Sequence, residues 1–436
     1  MEKFKATLLK EKLVSVWGVG YLGFTEIVGL QSKGFRVNVF DITGTDFEKR
    51  VKKNEYPSME QRFSWSRTGN IPPLDVSKIN IVKKPELMST ANVHILSFPL
   101  SDKQGNDLLK KVYSVFDGLK KRFADSLVIF QSVGTPGQID TNFTRPLKKR
   151  GVALSTAAAF RSDWSVEEFI MDSKKRVLAA NDTDSLKKVM FFYDTLGIRY
   201  NKFSTIKEAE IYENTKNSFQ YATDVFINQL ALAYADTDIR AITKCLLEDI
   251  ELSESHLSIG AGGYKMPFSV QNILDGSRNP NALSLIKDVQ SANLSMILNY
   301  AELLKKKGFK SATILGLTEK GNQKNLDLSP SVILAEYLNK LGITVYIDDP
   351  FYDDESLHEL LPFSKSIDIL KDKLRSEALF IMTDHNKYKY ITQQDINSQK
   401  ISNAGLIIDN VSLFKNYKFS HSTVYHAIGD GRLGTL

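Results

Sequence analysis

Three glycines spaced Gly-x-Gly-x-x-Gly, at Gly18, Gly20 and Gly23, with an acid at Asp41, are the first residues whose types and spacing point to a chemistry. They follow a short apolar run, Leu13 to Trp17, and open a helical pattern that reaches Lys33 and stops at Gly34. A second run, Arg36 to Phe40, leads to Asp41. The glycine spacing alone is weak, but between a strand and a helix it has a mechanism. There Gly18 makes a tight turn, Gly20 lets the backbone meet a pyrophosphate, and Gly23 allows close helix-strand packing, with the helix N-terminus facing the phosphates. Val19, Tyr21 and Leu22 complete the turn, and Pro99, just past the apolar run Val93 to Phe98, is placed with the same site. Asp41 would accept from both ribose hydroxyls and repel a 2'-phosphate, so the expected cofactor is NAD rather than NADP.

A second stretch, Ser258 to Ser269, reads Ser-Ile-Gly-Ala-Gly-Gly-Tyr-Lys-Met-Pro-Phe-Ser. Gly260, Gly262 and Gly263 can take positive φ and turn backbone N–H groups toward a substrate, while Pro267 stops helix from running back into the loop. A flexible linker is the alternative reading.

The elements that must carry these residues follow from periodicity. After the first strand-helix-strand unit come apolar strands at Val93 to Phe98, Leu127 to Phe130 and Val177 to Ala180, with helical patterns at Asn106 to Leu119 and Asp184 to Leu196, which predicts a mostly parallel sheet. From Thr205 a long helix is expected to about Arg240, with Phe219, Ala222, Phe226, Leu230 and Ala233 as an apolar stripe. Such a helix would connect two domains and pair with its copy in a homodimer. Glu213 and Asn217 lie one turn apart on it, as a solvated face or a functional one. More helix is expected to His256, and again from about Pro280 to Lys307. The last region repeats the first in outline: Ser311 to Leu315, a helix to Lys340, then Ile343 to Ile347 ending in Asp348-Asp349-Pro350, without the full glycine fingerprint. The predicted architecture is α/β, with two Rossmann-like domains of mostly parallel sheets joined by a central helical region with one long helix. The expected divisions are 1–204 for NAD, 205–308 for the helical dimerisation region with the glycine loop, and 309–436 for a nucleotide sugar.

Composition narrows the class. A chain of 436 residues, 42% hydrophobic, can give each domain a core. No stretch approaches a membrane span, so a cytoplasmic protein with no membrane partner is expected. One cysteine, Cys245, excludes an internal disulfide and a CxxC metal site. His421 and His426 are too isolated to suggest a metal, and none is expected. The net charge of +6 is modest, and the clusters Lys148-Lys149-Arg150 and Lys305-Lys306-Lys307 sit where helices end, so they read as solvated termini rather than a nucleic-acid patch.

With these residues in hand, the chain resembles the UDP-glucose/GDP-mannose dehydrogenase family over nearly its whole length. The resemblance rests on Gly18, Gly20, Gly23 and Asp41; on Glu208-Ala-Glu210 and Asn217-Ser-Phe219 of the central helix; on the glycine loop; and on Leu315-Gly-Leu317 with Lys320, Ser329-Pro330, Asp349-Pro350 and Thr383-Asp384-His385. It implies an NAD domain, a dimerisation helix and a nucleotide-sugar domain with Lys320 and the loop glycines at the substrate. It also implies oxidation of an NDP-sugar, UDP- or GDP-linked, for surface polysaccharide synthesis. The departures fall on the chemistry. Where the family carries a cysteine nucleophile this chain has Lys265, its helix lysine is Glu213, and its aspartate falls on Ser269, while its asparagine persists as Asn217. A thiol that captures an aldehyde for a second hydride loss is thus missing. Lys265, Tyr264 and Glu213 are expected to form a replacement acid/base set for one two-electron step, with Asn217 holding substrate or water. An ordinary uronic-acid-forming dehydrogenase and a non-catalytic, ligand-binding paralogue are the alternatives.

Overall fold

The computed structural model describes residues 1–42, 47, 74–98, 100, 103–160, 175–234, 236–249, 257–263, 266–374, 376–397 and 404–432. Contacts divide the chain into two compact units, Met1–Lys216 with Gln271–Arg278, and Asn217–Val270 with Asn279–Leu436. The helical region that the sequence sets apart is shared between them.

The first unit is built on an eight-stranded sheet: β1 (Leu13–Trp17), β2 (Arg36–Phe40), β3 (Ile79–Ile81), β4 (Val93–Leu96), β5 (Leu127–Phe130), β6 (Ser155–Phe160), β7 (Arg176–Ala180) and β8 (Tyr200–Phe203). Their order is β3-β2-β1-β4-β5-β6-β7-β8, parallel throughout except where β7 runs against β6. Strands such as Leu-Val-Ile-Phe in β5 are apolar at every position because both faces of the sheet are covered. Alternate residues enter two separate cores. Val14, Val16, Val37, Val39, Ile95 and Ile129 pack on one side, and Trp17, Leu96, Val128, Phe130, Ala158 and Phe160 on the other.

The second unit carries a six-stranded parallel sheet: β9 (Ser311–Leu315), β10 (Thr344–Asp348), β11 (Lys365–Ser366), β12 (Ala378–Ile381), β13 (Leu406–Asp409) and β14 (Val424–Ala427), in the order β11-β10-β9-β12-β13-β14. Counted within each unit, its six strands repeat the order of the first six strands of the larger sheet, third-second-first-fourth-fifth-sixth, which is the doubly wound arrangement. The expected fold class is therefore observed. Several short strands were not anticipated, notably β3, β6, β8 and β14. In β6 the run Ser-Thr-Ala-Ala-Ala-Phe has little strand propensity, and its place is set by pairing with β5 and β7.

Helix boundaries differ from the sequence reading in places: a helix Met266–Asp275 begins inside the stretch expected as loop, with Pro267 in its first turn, and the long helix ends early. The long helix spans Ile206–Ala233 and does not reach Arg240. Asp238 stops it by starting the next helix, Ile239–Asp249, with its carboxylate accepting from the Arg240 and Ala241 backbone N–H groups at 3.0 and 3.3 Å. Among the described residues no helix is long and apolar enough to cross a membrane.

Candidate functional site

In the first unit the glycine turn lies at the carboxyl end of β1, where the sheet forks. Trp17 pairs with Phe40 of β2 on one side and Leu96 of β4 on the other, so the turn faces the crevice at which strand order reverses. Gly18 has φ +89°, and its N–H donates to the Phe40 carbonyl at 2.9 Å. A side chain on Gly23 would begin 2.0 Å from the Gly18 carbonyl oxygen, so this glycine is required by packing. Gly20 is different: among the described residues nothing lies within 4 Å of where its side chain would begin. It also starts the helix Tyr21–Ser32 without a side-chain cap, leaving the first-turn N–H groups for something outside the helix. Val19 is buried, Leu22 and Asp41 are half-buried, and Asp41 follows directly on β2. The open space at Gly20 and the uncapped helix start fit the nicotinamide dinucleotide expected from the sequence. Pro99 lies outside the described residues.

The loop after β5 is pinned by the start of the long helix. Glu210 is fully buried and accepts from the Gly137 N–H at 2.6 Å and the Ile139 N–H at 3.4 Å, and burial pushes its carboxyl up to about 7. Asn214, one turn on, donates to the Gly134 carbonyl at 3.0 Å and accepts from Asn272 at 3.2 Å. Glu210 was legible only as part of a motif; that its carboxylate replaces a helix cap for another segment could not be read from spacing. Glu213 is buried too, and it pairs inside its own helix with Lys216 at 2.6 Å. Lys265 and Tyr264, the other members of the expected acid/base set, lie outside the described residues.

In the second unit the glycine loop is a packed element, which corrects the expectation of three glycines opened by positive φ. Only Gly263 has positive φ, at +85°. A side chain on Gly260 would begin 2.6 Å from Ile297, and one on Gly262 would begin 2.5 Å from Pro330. The N–H groups of Ala261 and Gly263 are taken by Asn293 Oδ1 at 2.8 Å and the Asp327 carbonyl at 3.0 Å, so neither is aimed at a ligand. These glycines are small because neighbours crowd them. Close by, Asn217 donates to Ser269 Oγ at 3.1 Å with both residues buried, which joins two positions singled out from the sequence. Glu319 was missed. It lies half-buried against Gly263, where its Oε2 would be 1.8 Å from an added side chain, and burial with Asp224 nearby pushes its carboxyl up to about 7. Lys320, next to it, is exposed. Cys245 is exposed on the helix Ile239–Asp249.

Known proteins are similar to this chain over nearly its whole length. Residues 313–416 match the UDP-glucose/GDP-mannose dehydrogenase family, UDP binding domain. The chain is 22% identical to the UDP-N-acetyl-D-mannosamine dehydrogenase of Methanocaldococcus jannaschii, covering 97% of each sequence. It is 23% identical to the UDP-glucose 6-dehydrogenase of Rickettsia conorii, covering 94% of this chain and 98% of that one. Its fold is similar to that of a UDP-glucose dehydrogenase from Pyrobaculum islandicum, with a TM-score of 0.73 at 18% identity over 96% of this chain and 97% of the other.

Proposed function

We propose that this chain, whose residues 313–416 match the UDP binding domain of the UDP-glucose/GDP-mannose dehydrogenase family and whose full-length relatives are named as dehydrogenases of UDP-sugars, is a divergent member of that family that oxidises a nucleotide sugar with NAD in one two-electron step. The observation that carries the reading is the open cradle at Gly20 in the fork between β2 and β4, with Asp41 at the strand end where a ribose would sit. NAD, when bound there, supplies a hydride acceptor. The chain's own contribution is to hold the pyrophosphate on backbone N–H groups, select against a 2'-phosphate with Asp41, and order the loop after β5 through Glu210.

The single step follows from residue types. Lys265 stands where the resemblance calls for a thiol, and an amine with an ordinary pKa near ~10.4 is protonated at neutral pH and does not form the thiohemiacetal that a second hydride loss needs. The hydrogen bond from Asn217 to Ser269 ties the retained asparagine to the position where the resemblance calls for an aspartate, so a neutral pair replaces a charged one. The product is then a keto or aldehyde sugar, or an epimer if the hydride returns, made for glycan synthesis in the cytoplasm. Counting NADH per sugar consumed across a panel of UDP- and GDP-sugars, with product mass, tests this. One NADH, or an isomerised sugar with none, is the expected result. Two NADH and a uronic acid would overturn the single step, and NAD binding without any turnover would make the chain a non-catalytic paralogue.

A homodimer through the long helix completes the proposal. Phe219 and Phe226, seven residues apart on one stripe, are 60% and 56% exposed, and Ala233 continues the line. A Phe226→Glu chain is expected to sediment as a monomer at micromolar concentration where the parent sediments as a dimer.

A further inference from the structure

The first unit contains a cavity of about 1200 Å³ away from the Gly18–Gly23 turn, and none of its lining residues belongs to the cofactor cradle. Its walls come from the loop after β5, a π-type turn at Asp140–Thr144, the helix Arg145–Lys149, the ends of β6 and β7, and the first turn of the long helix. Pockets for small molecules run roughly 300–1000 Å³, so the space is ample for one. A π turn inside a helical segment re-aims side chains and occurs often at functional sites. Here it carries Thr141, Asn142 and Thr144 into the lining.

The lining has a definite chemistry. Among the described residues that line the cavity none is aromatic, so these offer nothing for a nucleobase to stack on. It is rich in hydroxyls and amides, which pair with sugar hydroxyls. Its acids are already committed: Asp140 is held by Arg145 at 2.6 Å and by Asn181 at 3.1 Å, and Asp182 accepts from the backbone and hydroxyl of Ser185 at 2.8 Å each. Two cations are not. Lys148 and Lys207, from different helices, have no ion-pair partner among the described residues, and both line the cavity. Lys149 and Arg150, which follow Lys148 in sequence, are outside it, and Arg150 pairs with Asp117 at 2.7 Å. The field in the cavity is therefore positive, and its free donors suit an anion on a hydroxyl-rich body.

We propose that this cavity is a second ligand site that binds a phosphorylated sugar lacking a nucleobase, with Lys148 and Lys207 on the phosphate and the threonine and asparagine side chains on the sugar hydroxyls. The site is separate from the cofactor cradle and does not depend on the reaction assigned above. It reaches the start of the long helix through Glu210. Lys207 runs beside Gly137, its Cδ 3.9 Å from where a side chain there would begin, and the Gly137 N–H donates to Glu210. The charged groups that act on Glu210 are Lys207 on its own helix, which favours its ionised form, and Asp140 on the π turn, which opposes it. An anion on Lys207 offsets the favourable charge, so Glu210 holds its proton more firmly when the site is filled. Binding near neutral pH then takes up a proton, and affinity falls as pH rises through the region where Glu210 ionises.

Calorimetric titration of the full chain with glucose 6-phosphate, at pH 7 and pH 8, where its phosphate is mostly dianionic, and in buffers of different ionisation enthalpy, tests this. The expected result is one site per chain, tighter at pH 7, with proton uptake. Lys148→Gln and Lys207→Gln are each expected to weaken it about tenfold, the loss of one charged hydrogen bond, while NAD affinity stays unchanged. Glu210→Gln is expected to remove the proton uptake, and the lysine variants keep the test alive if that chain does not fold. Absence of binding, or binding that neither lysine variant weakens, overturns the site. Inorganic phosphate binding as tightly as glucose 6-phosphate overturns the sugar assignment.

Discussion

The two sheets of this protein begin in the same way and end differently. Gly18 after β1 and Gly316 after β9 have φ of +89° and +87°, and each donates its N–H to the last residue of the neighbouring strand, Phe40 or Asp348, at 2.9 Å. Asp41 and Asp349 are therefore equivalent in register, one residue past β2 and one past the end of β10. Gly316-x-Thr318-x-x-Gly321 lies over Gly18-x-Gly20-x-x-Gly23 in the same count. In the first unit this frame is left open: Gly20 has free space beside it and the helix that follows has no side-chain cap. In the second it is closed from within. Asp349 accepts from the N–H groups of Leu317 at 2.7 Å and Phe351 at 2.9 Å, and its Oδ2 lies 3.3 Å from His385 Nε2. The Asn322 N–H donates to His385 Nδ1, so the ring hydrogen is on Nε2, directed at Asp349 and Thr318. The following helix, Pro330–Lys340, is capped by Ser329 and starts with proline. Among the described residues, then, the first frame has open space at Gly20 while the second is bonded within itself. The lesson is that strand order and turn geometry make a nucleotide crevice available, and the residues at three or four positions decide whether it stays available.

Paired substitutions sharpen that contrast. The largest effect is expected for Gly23→Ala, whose side chain would begin 2.0 Å from the Gly18 carbonyl; it should weaken NAD about a hundredfold, roughly 3 kcal/mol of overpacking, in a fluorescence titration of NADH. Its counterpart Gly316→Ala, at φ +87° and 2.4 Å from Thr383, should cost a similar amount in stability to denaturant and leave NAD affinity alone. The acids give a smaller version of the same test. Asp349→Asn places an amide among three donors and should cost about 2 kcal/mol of stability without touching NAD, whereas Asp41→Asn should leave the melting curve in place, weaken NAD about tenfold and narrow its preference over NADP. If Asp349→Asn altered cofactor affinity as much as Asp41→Asn did, the second crevice would not be closed in the sense described.

Much of the scaffold was legible because the signals are local. Apolar runs bounded by glycines at Gly18, Gly34, Gly316 and Gly342 mark strands and turns, and the second half repeats their placement, one glycine directly after its first strand and one two residues before its second. The end of the long helix was misjudged by several residues because Asp238 reads equally as a helix-surface acid and as a cap, and only its contact with the Arg240 N–H separates the two. The glycine loop was recognisable as special, yet for a different reason than the one expected. Spacing shows that side chains are excluded at Gly260 and Gly262; it does not show whether a ligand or Ile297 and Pro330 exclude them.

Local chemistry in the sequence was enough to determine the βαβ units and the glycine turn that follows β1, because each depends on residues close together along the chain. Which carboxylates are balanced, which lysines are not, and which crevice is closed were decided by tertiary structure. Glu213 meets Lys216 within one turn, but Glu210 meets a loop more than seventy residues away, Asp349 meets His385 from a different strand end, and Lys148 leaves its basic cluster to line a cavity with Lys207. Charge and hydrogen-bond balance depend on distances of a few ångströms between segments far apart in sequence, and those distances exist only once the sheets have brought the segments together.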